Sequence, residues 1–490
     1  MLTYTFDDRG EDSLYGHLYQ CIRHDIESGV ISADEKLPSK RAFAKHLGVS
    51  LITVEGAYAQ LVAEGYVRSV PRTGYFANSI ARPAVPPTSG QRIPKQEAEP
   101  AKQEADAAVP GAGEHSLVDD LTSGSVATGL FPFALWARTL RDVLAHEPEQ
   151  ELLCESPAKG SRRLREALVR HLRTFRGLEA DPGQIVVGSG AQTLYHLLIQ
   201  LLGRDSRFAV EDPGYTRLTR VYQSNDVTLS HVPMDGSGID VAALGASQAN
   251  VVHLMPSHQY PTGLVTPINR RYELLGWATE APGRYIIEDD YDCEFRLAGR
   301  PIPTMQSIDV DERVIYANTF SRSLGPAFRI GYLVLPTHLA ERFQHDLGFY
   351  SCTVSTMEQL VLARFIENGD FERHVNRMRS HYRAVRDELV AALASSALAD
   401  RIAVEGADAG LHFLLCIAAP ASEAALVAAA RAEGLVLAPL SAFSVRAAAP
   451  ITPPDNPRRF VVSYAGIDRE VIPLVVQALV RAVKTASTTT

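Results

Sequence analysis

The feature that most restricts the fold is a regular alternation, from Leu117 onward, of short apolar runs with stretches of helical periodicity. Unbroken apolar runs of this length are typical of strands that are buried on both faces. Such strands, separated by helices, predict a mostly parallel sheet covered on both sides. Ligands of these sheets bind at the carboxyl ends of the strands. The strands are predicted at 185–187, 208–210, 251–254, 285–287, 314–316 and 329–335, with helices at 163–176 and 191–202.

A second feature divides the chain. Residues 79–116 contain no aromatic side chain and are rich in Pro, Ala, Glu and Gln, so they are predicted to form a flexible linker. A chain of 490 residues, 46% of them hydrophobic, is also too long for one typical core. We therefore predict a domain at 1–78, the linker at 79–116 and a larger domain at 117–490. The linker would let the first domain lie over a partner subunit; an insertion without a geometric role is the alternative.

Composition restricts the compartment and the partners. The chain contains no run of eighteen apolar residues and no signal-peptide pattern at its start, so we expect a soluble, cytoplasmic protein without a membrane partner. The net charge of −9 gives no indication of nucleic-acid binding by the chain as a whole. The cysteines form no CxxC pair and no Cys/His cluster, which suits a reducing compartment and predicts no metal site. They are Cys21, Cys154, Cys293, Cys352 and Cys416.

The first domain has the pattern of a helix-turn-helix followed by a hairpin. An amphipathic helical pattern covers 13–28. Ser39 is placed to cap a short helix, and Ser50 to cap a second one. Two short runs at 66–68 and 74–76 then predict a hairpin. This order predicts a winged helix-turn-helix whose second capped helix enters the DNA major groove.

Basic side chains are concentrated in this part of the chain. Between residues 36 and 76 the only acids are Glu55 and Glu64, and Lys and Arg outnumber them, which suits binding to phosphates. The stretch LPSKRAFAKHLGVSLITVEGAYAQLVAEGYVRSVPRTGYF resembles the DNA-binding domain of the GntR family along its whole length. The expected DNA-binding residues are Ser39, Lys40, Arg41, Ser50, Thr53, Arg68, Arg72, Thr73 and Gly74.

One position departs from the GntR pattern. The family usually has Arg after the serine that opens the recognition helix, and this chain has Leu51. The change removes a DNA contact and leaves the half-site preference open. A three-helix interaction module with surface charge is the alternative interpretation of the first domain.

Polar residues follow several strands of the larger domain. Residues 190–192 open a helix directly after a strand, where backbone N–H groups favour a phosphate. Tyr215, in EDPGY, is placed to stack on an aromatic ring. Asp289 is placed to pair with a protonated pyridine nitrogen, and Tyr291 to hydrogen-bond a ring oxygen. Arg329 would complete the phosphate site. A structural role is the alternative for each residue, but their joint order favours one site.

Two further motifs carry a resemblance. EDDYDCEF (288–295) and TFSRSLGPAFRIGY (319–332) resemble the centre of a fold-type I aminotransferase, the large pyridoxal-phosphate (PLP) fold. Together with MPSHQYPTG (255–263) and the GntR-like segment, they identify the chain as similar to the MocR/GabR-type regulators. In these regulators a GntR domain is fused to an aminotransferase-like body. The resemblance implies a type I α/β PLP-dependent transferase-like fold with a small C-terminal α+β subdomain.

The same resemblance implies a function and a set of site residues. Such regulators sense PLP, alone or with an amino compound, and form head-to-tail homodimers. Phosphate contacts are implied for Gly190, Ala191, Gln192, Ser321 and Arg329. Ring contacts are implied for Tyr215, Asp289 and Tyr291, and an effector contact for Arg217.

Three positions of the larger domain depart from that family. Arg322 occupies the position of the lysine that forms the Schiff base, and a guanidinium does not form an imine with an aldehyde. Cys154 stands where a tyrosine usually reaches the other subunit's phosphate. Val461 stands where an arginine usually holds a substrate carboxylate. Arg458 and Arg459 lie close, but a two-residue offset on a strand displaces a side chain by about 6–7 Å.

Lysine is scarce beyond residue 117, where the chain has Lys159 and Lys484. Lys484 belongs to a terminal helix and should be solvated, whereas Lys159 is expected near the site. We therefore predict a DNA-binding transcriptional regulator that is not an enzyme, because the missing lysine is also the proton-transfer base of transamination. Its body would dimerise and bind PLP or a related ligand non-covalently. The alternatives are a body that only dimerises or binds an unrelated effector, without PLP, and an aminotransferase with a fused DNA-binding domain.

Overall fold

The computed structural model describes residues 4, 14–28, 30–32, 34–63, 66–70, 73–77, 119–122, 126–297, 303–445 and 457–488. The chain divides into two compact units, residues 1–108 and 109–490. The predicted linker, residues 79–116, lies outside the described residues. The predicted DNA contact Arg72 lies outside them as well.

The first unit contains three helices and one antiparallel hairpin. They are α1 Leu14–Ser28, α2 Lys40–Leu47, α3 Leu51–Ala63, β1 Val67–Val70 and β2 Gly74–Ala77. The hydroxyl of Ser39 accepts a hydrogen bond from the Ala42 N–H, and Gly48 ends α2 with a left-handed φ of 68°. Ser50 accepts from the Thr53 N–H at 3.1 Å. Both predicted caps are therefore confirmed, and the unit is a winged helix-turn-helix.

The core of this unit is formed by one face of each helix. Leu18 and Ile22 of α1 pack with Phe43 of α2 and with Val54 and Tyr58 of α3, all with no exposed surface.

The second unit is a larger α/β structure. Its helices are α4 Phe133–His146, α5 Glu149–Leu153, α6 Arg162–Arg176, α7 Ala191–Leu202, α8 Thr216–Gln223, α9 Val241–Ala246, α10 Ile268–Thr279, α11 Thr337–Asp346, α12 Thr356–Glu367, α13 Asp370–Ala394, α14 Glu423–Ala432 and α15 Ile472–Thr488. Its strands are β3 Asp119–Asp120, β4 Ile185–Gly188, β5 Arg207–Asp212, β6 Thr228–Asp235, β7 Gly238–Ile239, β8 Val251–Leu254, β9 Tyr285–Asp289, β10 Val314–Thr319, β11 Gly331–Val334, β12 Ile402–Glu405, β13 His412–Ile417, β14 Leu435–Val436, β15 Ala438–Pro439 and β16 Arg458–Ser463.

Eight strands form the main sheet, in the order β4-β11-β10-β9-β8-β5-β6-β7. The pairs from β10 through β9, β8 and β5 to β6 are parallel, while β11 and β7 run antiparallel to their neighbours. Strands β4, β8 and β10 are buried along their whole length, with helices packed on both faces. The predicted, mostly parallel sheet is thus confirmed, and its strand ends meet at one edge.

A smaller α+β subdomain follows in the chain. Its antiparallel sheet has the order β12-β13-β16-β15, and α13, α14 and α15 pack in the same core cluster. By length and composition alone, the stretch Arg469–Thr488 is one that could cross a membrane. Its apolar side chains, among them Val475, Leu479 and Val483, are buried in the subdomain core, which accounts for their hydrophobicity.

Candidate ligand-binding site

The N-terminus of α7 forms a site suited to an anion. Strand β4 ends at Gly188, and α7 begins after Gly190, which has a φ of 82° and provides no side-chain cap for the first turn of N–H groups. The guanidinium of Arg329 lies against Gly190, since a Cβ built there would be 2.8 Å from Nη2. Arg329 also donates to the Ser189 carbonyl at 3.3 Å. A cation and uncapped N–H groups together favour a bound phosphate.

Arg322 lies in the turn between β10 and β11, one residue after Ser321, and both are half-buried. Its charge is felt by side chains from three other segments. Burial raises the pKa of Tyr291 and of Tyr260, and the positive charge of Arg322 opposes both rises. Burial also lowers the pKa of His412, and Arg322 lowers it further. The guanidinium is therefore a permanent charge within the candidate site.

Asp289 ends β9 and is 4% exposed. Its Oδ2 accepts from the Tyr195 hydroxyl at 2.5 Å and lies 3.4 Å from Nε2 of His253. The Tyr222 hydroxyl is in turn 2.8 Å from Nδ1 of His253. A buried carboxylate held by hydrogen bonds is suited to pair with a cationic ring nitrogen. Sequence reasoning identified Asp289 but missed the residues that orient it, although a histidine within a buried strand was a signal for His253.

Aromatic rings form a second wall. The ring of Tyr260 contacts Tyr215 edge-on with centroids 5.6 Å apart, and it lies 5.0 Å from His412 and 6.4 Å from Tyr291. Arg217 is exposed on α8, and its charge, like that of Arg322, opposes the rise in the pKa of Tyr260 that burial causes. The structure thus brings Tyr215 and Tyr291 to one ring that sequence reasoning did not single out, although Tyr260 lies in MPSHQYPTG.

Three buried side chains next to this wall have the composition of a metal site. Nδ1 of His258 is 2.8 Å from Oδ2 of Asp292, and a ligand atom from each of these residues and from His412 lies within 4.8 Å of the others. Ligand atoms of tetrahedral zinc are about 3.4 Å apart. The nearby charge of Arg322 also disfavours a cation here. We interpret the cluster as a hydrogen-bonded network that supports Tyr291, whose hydroxyl is 3.2 Å from His258.

Buried arginines fix the loops that carry these residues. Arg271, with no exposed surface, donates to the carbonyls of Thr266, Pro256 and Pro303. The guanidinium of Arg176 lies 2.8 Å from Asp290, directly after β9. Arg271 thus supplies donors to backbone carbonyls of irregular segments, whereas Arg176 fixes the residue after β9 through its carboxylate.

Glu211, at the end of β5, is a buried acid beside the site. It accepts from the Met255 N–H at 3.2 Å and from Gln259 at 3.4 Å. Burial raises its pKa to about 8, against the partial compensation of these hydrogen bonds. The side chain therefore binds a proton near neutral pH and joins β5 to the 255–263 segment.

The backbone of Lys159 lies beside β4, where its carbonyl accepts from the Val187 N–H. Its amine is directed away from the anion site, since Nζ donates to the Gly183 carbonyl at 2.7 Å, before the start of β4 and at the opposite strand end from Gly190. Lys484 is exposed on α15, as predicted.

The arginines near Val461 have other partners. Val461 is 2% exposed on β16. Arg459 pairs with Glu405 at 3.5 Å, and Arg458 donates to the Ala421 carbonyl. Neither guanidinium is thus available to replace the arginine that the resemblance implies at 461.

The predicted DNA contacts of the first unit differ in exposure. Arg41 and Thr73 are exposed, as are Ser39 and Ser50. Thr53 is only 9% exposed, so that much of its side chain faces the unit's own core. The basic residues have intramolecular partners: Lys40 lies 3.6 Å from Glu55, and Arg68 pairs with Asp34. Gly74 has a φ of 125° at the start of β2, which fits its place in the wing.

Comparison with known families divides the chain in the same manner. Residues 120–479 match the family "Aminotransferase class I and II", and residues 14–76 match "Bacterial regulatory proteins, gntR family".

Several curated relatives are similar over most of their length. An uncharacterized HTH-type transcriptional regulator, YdeL of Bacillus subtilis, is 36% identical over 87% of this chain and 89% of its own. The probable rhizopine catabolism regulatory protein MocR of Rhizobium meliloti is 32% identical over 94% and 92%. The HTH-type pyridoxine biosynthesis transcriptional regulator PdxR of Corynebacterium glutamicum is 33% identical over 76% and 77%.

Among solved structures, the multiple substrate aminotransferase of Thermococcus profundus aligns with a TM-score of 0.66 and 24% identity, covering 77% of this chain and 94% of its own. An archaeal alanine:glyoxylate aminotransferase aligns with a TM-score of 0.65 and 23% identity, covering 76% and 92%. At this level of identity the likeness establishes the fold of the second unit and nothing further.

Proposed function

The chain belongs to the MocR-type transcriptional regulators, which join a GntR helix-turn-helix to an aminotransferase-like body, and we propose that its body is a non-covalent PLP sensor. In this proposal PLP, or a related phosphate-bearing ligand, shifts the body between two conformations and so changes DNA binding. The protein would act in the cytoplasm as a head-to-tail homodimer and would not catalyse transamination. We keep 1–78, 79–116 and 117–490 as the proposed domain boundaries.

The proposal rests on one observation: the body has a candidate anion site, but arginine stands where a reacting lysine is expected. Gly190 and the guanidinium of Arg329 lie together at the N-terminus of α7, a pair that we call the phosphate cup. Asp289 is buried at the carboxyl end of β9. In the alignment that the resemblance implies, Arg322 stands at the Schiff-base position. A transamination catalyst needs the reacting amine, whereas a sensor needs only the binding groups.

The residues present fit PLP. The N–H groups at the start of α7, with Ser321 and Arg329, would hold the phosphate. Asp289 would pair with the ring nitrogen, Tyr291 would hydrogen-bond the ring oxygen, and Tyr215 would stack on the ring. PLP supplies an aldehyde and an electron-withdrawing ring when it is bound.

This chain has no suitable amine for that aldehyde in the described part of the second unit. Lys159 donates to a carbonyl before β4, and Lys484 is exposed on α15. Arg322 instead offers a permanent cation with several N–H donors. We propose that Arg322 donates a hydrogen bond to the ligand, and that Arg217 binds an anionic effector beside Tyr260.

The first unit supplies the DNA contacts in this proposal. Arg41 and Thr73 are exposed and suited to backbone phosphates. Ser39 and Ser50 stand at the N-termini of α2 and α3, where a phosphate is favoured.

A titration of the purified full-length chain tests the ligand. PLP, pyridoxal and inorganic phosphate are added separately, and thermal unfolding is followed. We expect PLP at a hundred times its dissociation constant to stabilise the protein by about 2.7 kcal/mol, reversibly on dialysis, and pyridoxal to do so far less.

Covalent attachment is tested in the same samples. After borohydride reduction, mass spectrometry should find the unmodified mass, and incubation with PLP and amino acids should yield no keto acid. A reduced adduct at a lysine of the body, or amino-acid turnover, would contradict the proposal. No stabilisation by PLP would favour the scaffold alternative.

A further inference from the structure

The recognition helix α3 presents apolar side chains at the turn that would enter DNA. Ile52 is 79% exposed and Leu51 is 36% exposed, whereas the next residue, Thr53, is 9% exposed and Val54 has no exposed surface. An exposed isoleucine is common on protein surfaces. Two adjacent aliphatic residues at the start of a recognition helix, however, occupy the positions from which such helices contact base edges.

Polar groups in the same turn are engaged within the protein. The hydroxyls of Ser50 and Thr53 are 2.8 Å apart, and the Thr53 N–H donates to Ser50. Glu55, one turn along, lies 3.6 Å from Lys40 Nζ. The amine of Lys40 also lies 5.4 Å from the centroid of the Tyr75 ring. Leu51 and Ile52, which are also exposed, add apolar surface to this turn.

The preceding helix, α2, carries basic side chains. Arg41 and Lys45 are exposed on α2, and Lys40 begins that helix. A surface that combines cations with apolar side chains is complementary to a DNA major groove, in which the thymine C5-methyl is the apolar group. A purely apolar protein partner would gain nothing from the flanking cations.

We propose that Ile52 and Leu51 read thymine methyl groups, so that the operator has thymine where α3 meets each half-site. This inference rests on DNA binding by the first unit and adds the chemical identity of the bases that it prefers. It also assigns a role to Leu51, the position at which this chain lacks the arginine usual in the GntR family.

The test uses the full-length protein and DNA selected from a random pool. Each thymine of the selected site is replaced in turn by deoxyuridine, which lacks only the methyl group. We expect one or two replacements per half-site to weaken binding about fourfold each, the value of one buried methyl. Ile52→Ala should weaken binding to the thymine site and reduce the effect of the same replacements to less than about twofold.

Ile52→Ala should fold normally, since the side chain is exposed and alanine favours helices. Two further variants, Val30→Ala and Leu51→Arg, make the result specific. Val30→Ala removes an aliphatic side chain that is 66% exposed outside α3, and it should leave both affinity and the deoxyuridine effect unchanged. Leu51→Arg should shift the selected sequence towards guanine, to which arginine donates two hydrogen bonds.

The outcomes separate this inference from the function on which it rests. Selective binding whose affinity responds equally to deoxyuridine in the wild type and in Ile52→Ala would overturn the thymine contact and leave DNA binding intact. Failure to enrich any DNA sequence would overturn both.

Discussion

The proposed phosphate site at the N-terminus of α7 can be tested by adding one methyl group to a glycine. Gly190 and Gly203 are the residues that flank α7, and both have a positive φ, 82° and 95°. Alanine at such an angle costs about 1–3 kcal/mol of stability. At Gly203 nothing lies within 4 Å of an added Cβ, whereas at Gly190 it would lie 2.8 Å from Nη2 and 2.9 Å from Cζ of Arg329. Both alanine variants should therefore lose similar stability, but only Gly190→Ala should displace the guanidinium.

The displacement predicts a loss of ligand affinity. A hydrogen bond to a charged group contributes about 1.5–3 kcal/mol, so loss of the Arg329 contact should weaken PLP binding by about ten- to a hundredfold. Calorimetric titration of wild type, Gly190→Ala and Gly203→Ala measures the three dissociation constants, and thermal unfolding without ligand measures the shared cost in stability.

The comparison between the two variants is decisive. Gly203→Ala should bind PLP with wild-type affinity. If Gly190→Ala did so as well, Arg329 and the α7 N-terminus would not form the phosphate site. If both lost affinity equally, the cause would be a general destabilisation of α7.

Three other predictions concern charges in the second unit. Arg322→Lys restores an amine near Tyr291, and mass spectrometry after borohydride should find a PLP adduct at residue 322; no adduct would mean that the aldehyde lies elsewhere. Because burial raises the pKa of Glu211 from its ordinary 4.5 to about 8, the folded protein keeps a proton that the unfolded chain releases, and stability is lost as pH rises through this interval. Glu211→Gln should thus gain stability relative to wild type between about pH 5 and pH 8 in urea unfolding, and a difference independent of pH would refute this. Arg459→Ala should leave PLP affinity unchanged by calorimetry, since its partner is Glu405; a large loss would place it in the site.

Features set by neighbouring residues could be predicted from the sequence. The caps of α2 by Ser39 and of α3 by Ser50 depend on local backbone geometry, and both were predicted. The buried strands were predicted because two-sided burial requires continuous apolar runs, as in β8 and β10. The order of the strands, with β11 between β4 and β10, depends on pairings between distant segments and is not encoded in any local pattern.

The candidate site was predicted only in part for the same reason. Asp289 could be identified because it ends a strand, but Tyr195 reaches it from α7 and His253 from β8. Such contacts require the register between β8 and β9, in which His253 is opposite Ile287. The direction of the Lys159 amine could not be predicted, because a position in the chain does not fix the direction of a long, flexible side chain.

In the proposed function, the electrostatics of the site would support ligand binding without a covalent bond. Burial raises the pKa of Tyr260, and the charges of Arg322 and then of Arg217 oppose that rise, so two guanidiniums act on one ring from different segments. Asp289 supplies a carboxylate at the carboxyl end of β9, and Arg329 supplies a cation at the start of α7. A ligand with a phosphate and a protonated ring nitrogen would satisfy both ends of this arrangement. In this proposal, arginine in place of the amine would remove the bond to the aldehyde but keep a positive charge beside it, so affinity would depend on ion pairs and stacking. Binding through ion pairs should weaken as the salt concentration rises. Binding through an imine would be limited instead by hydrolysis of the imine.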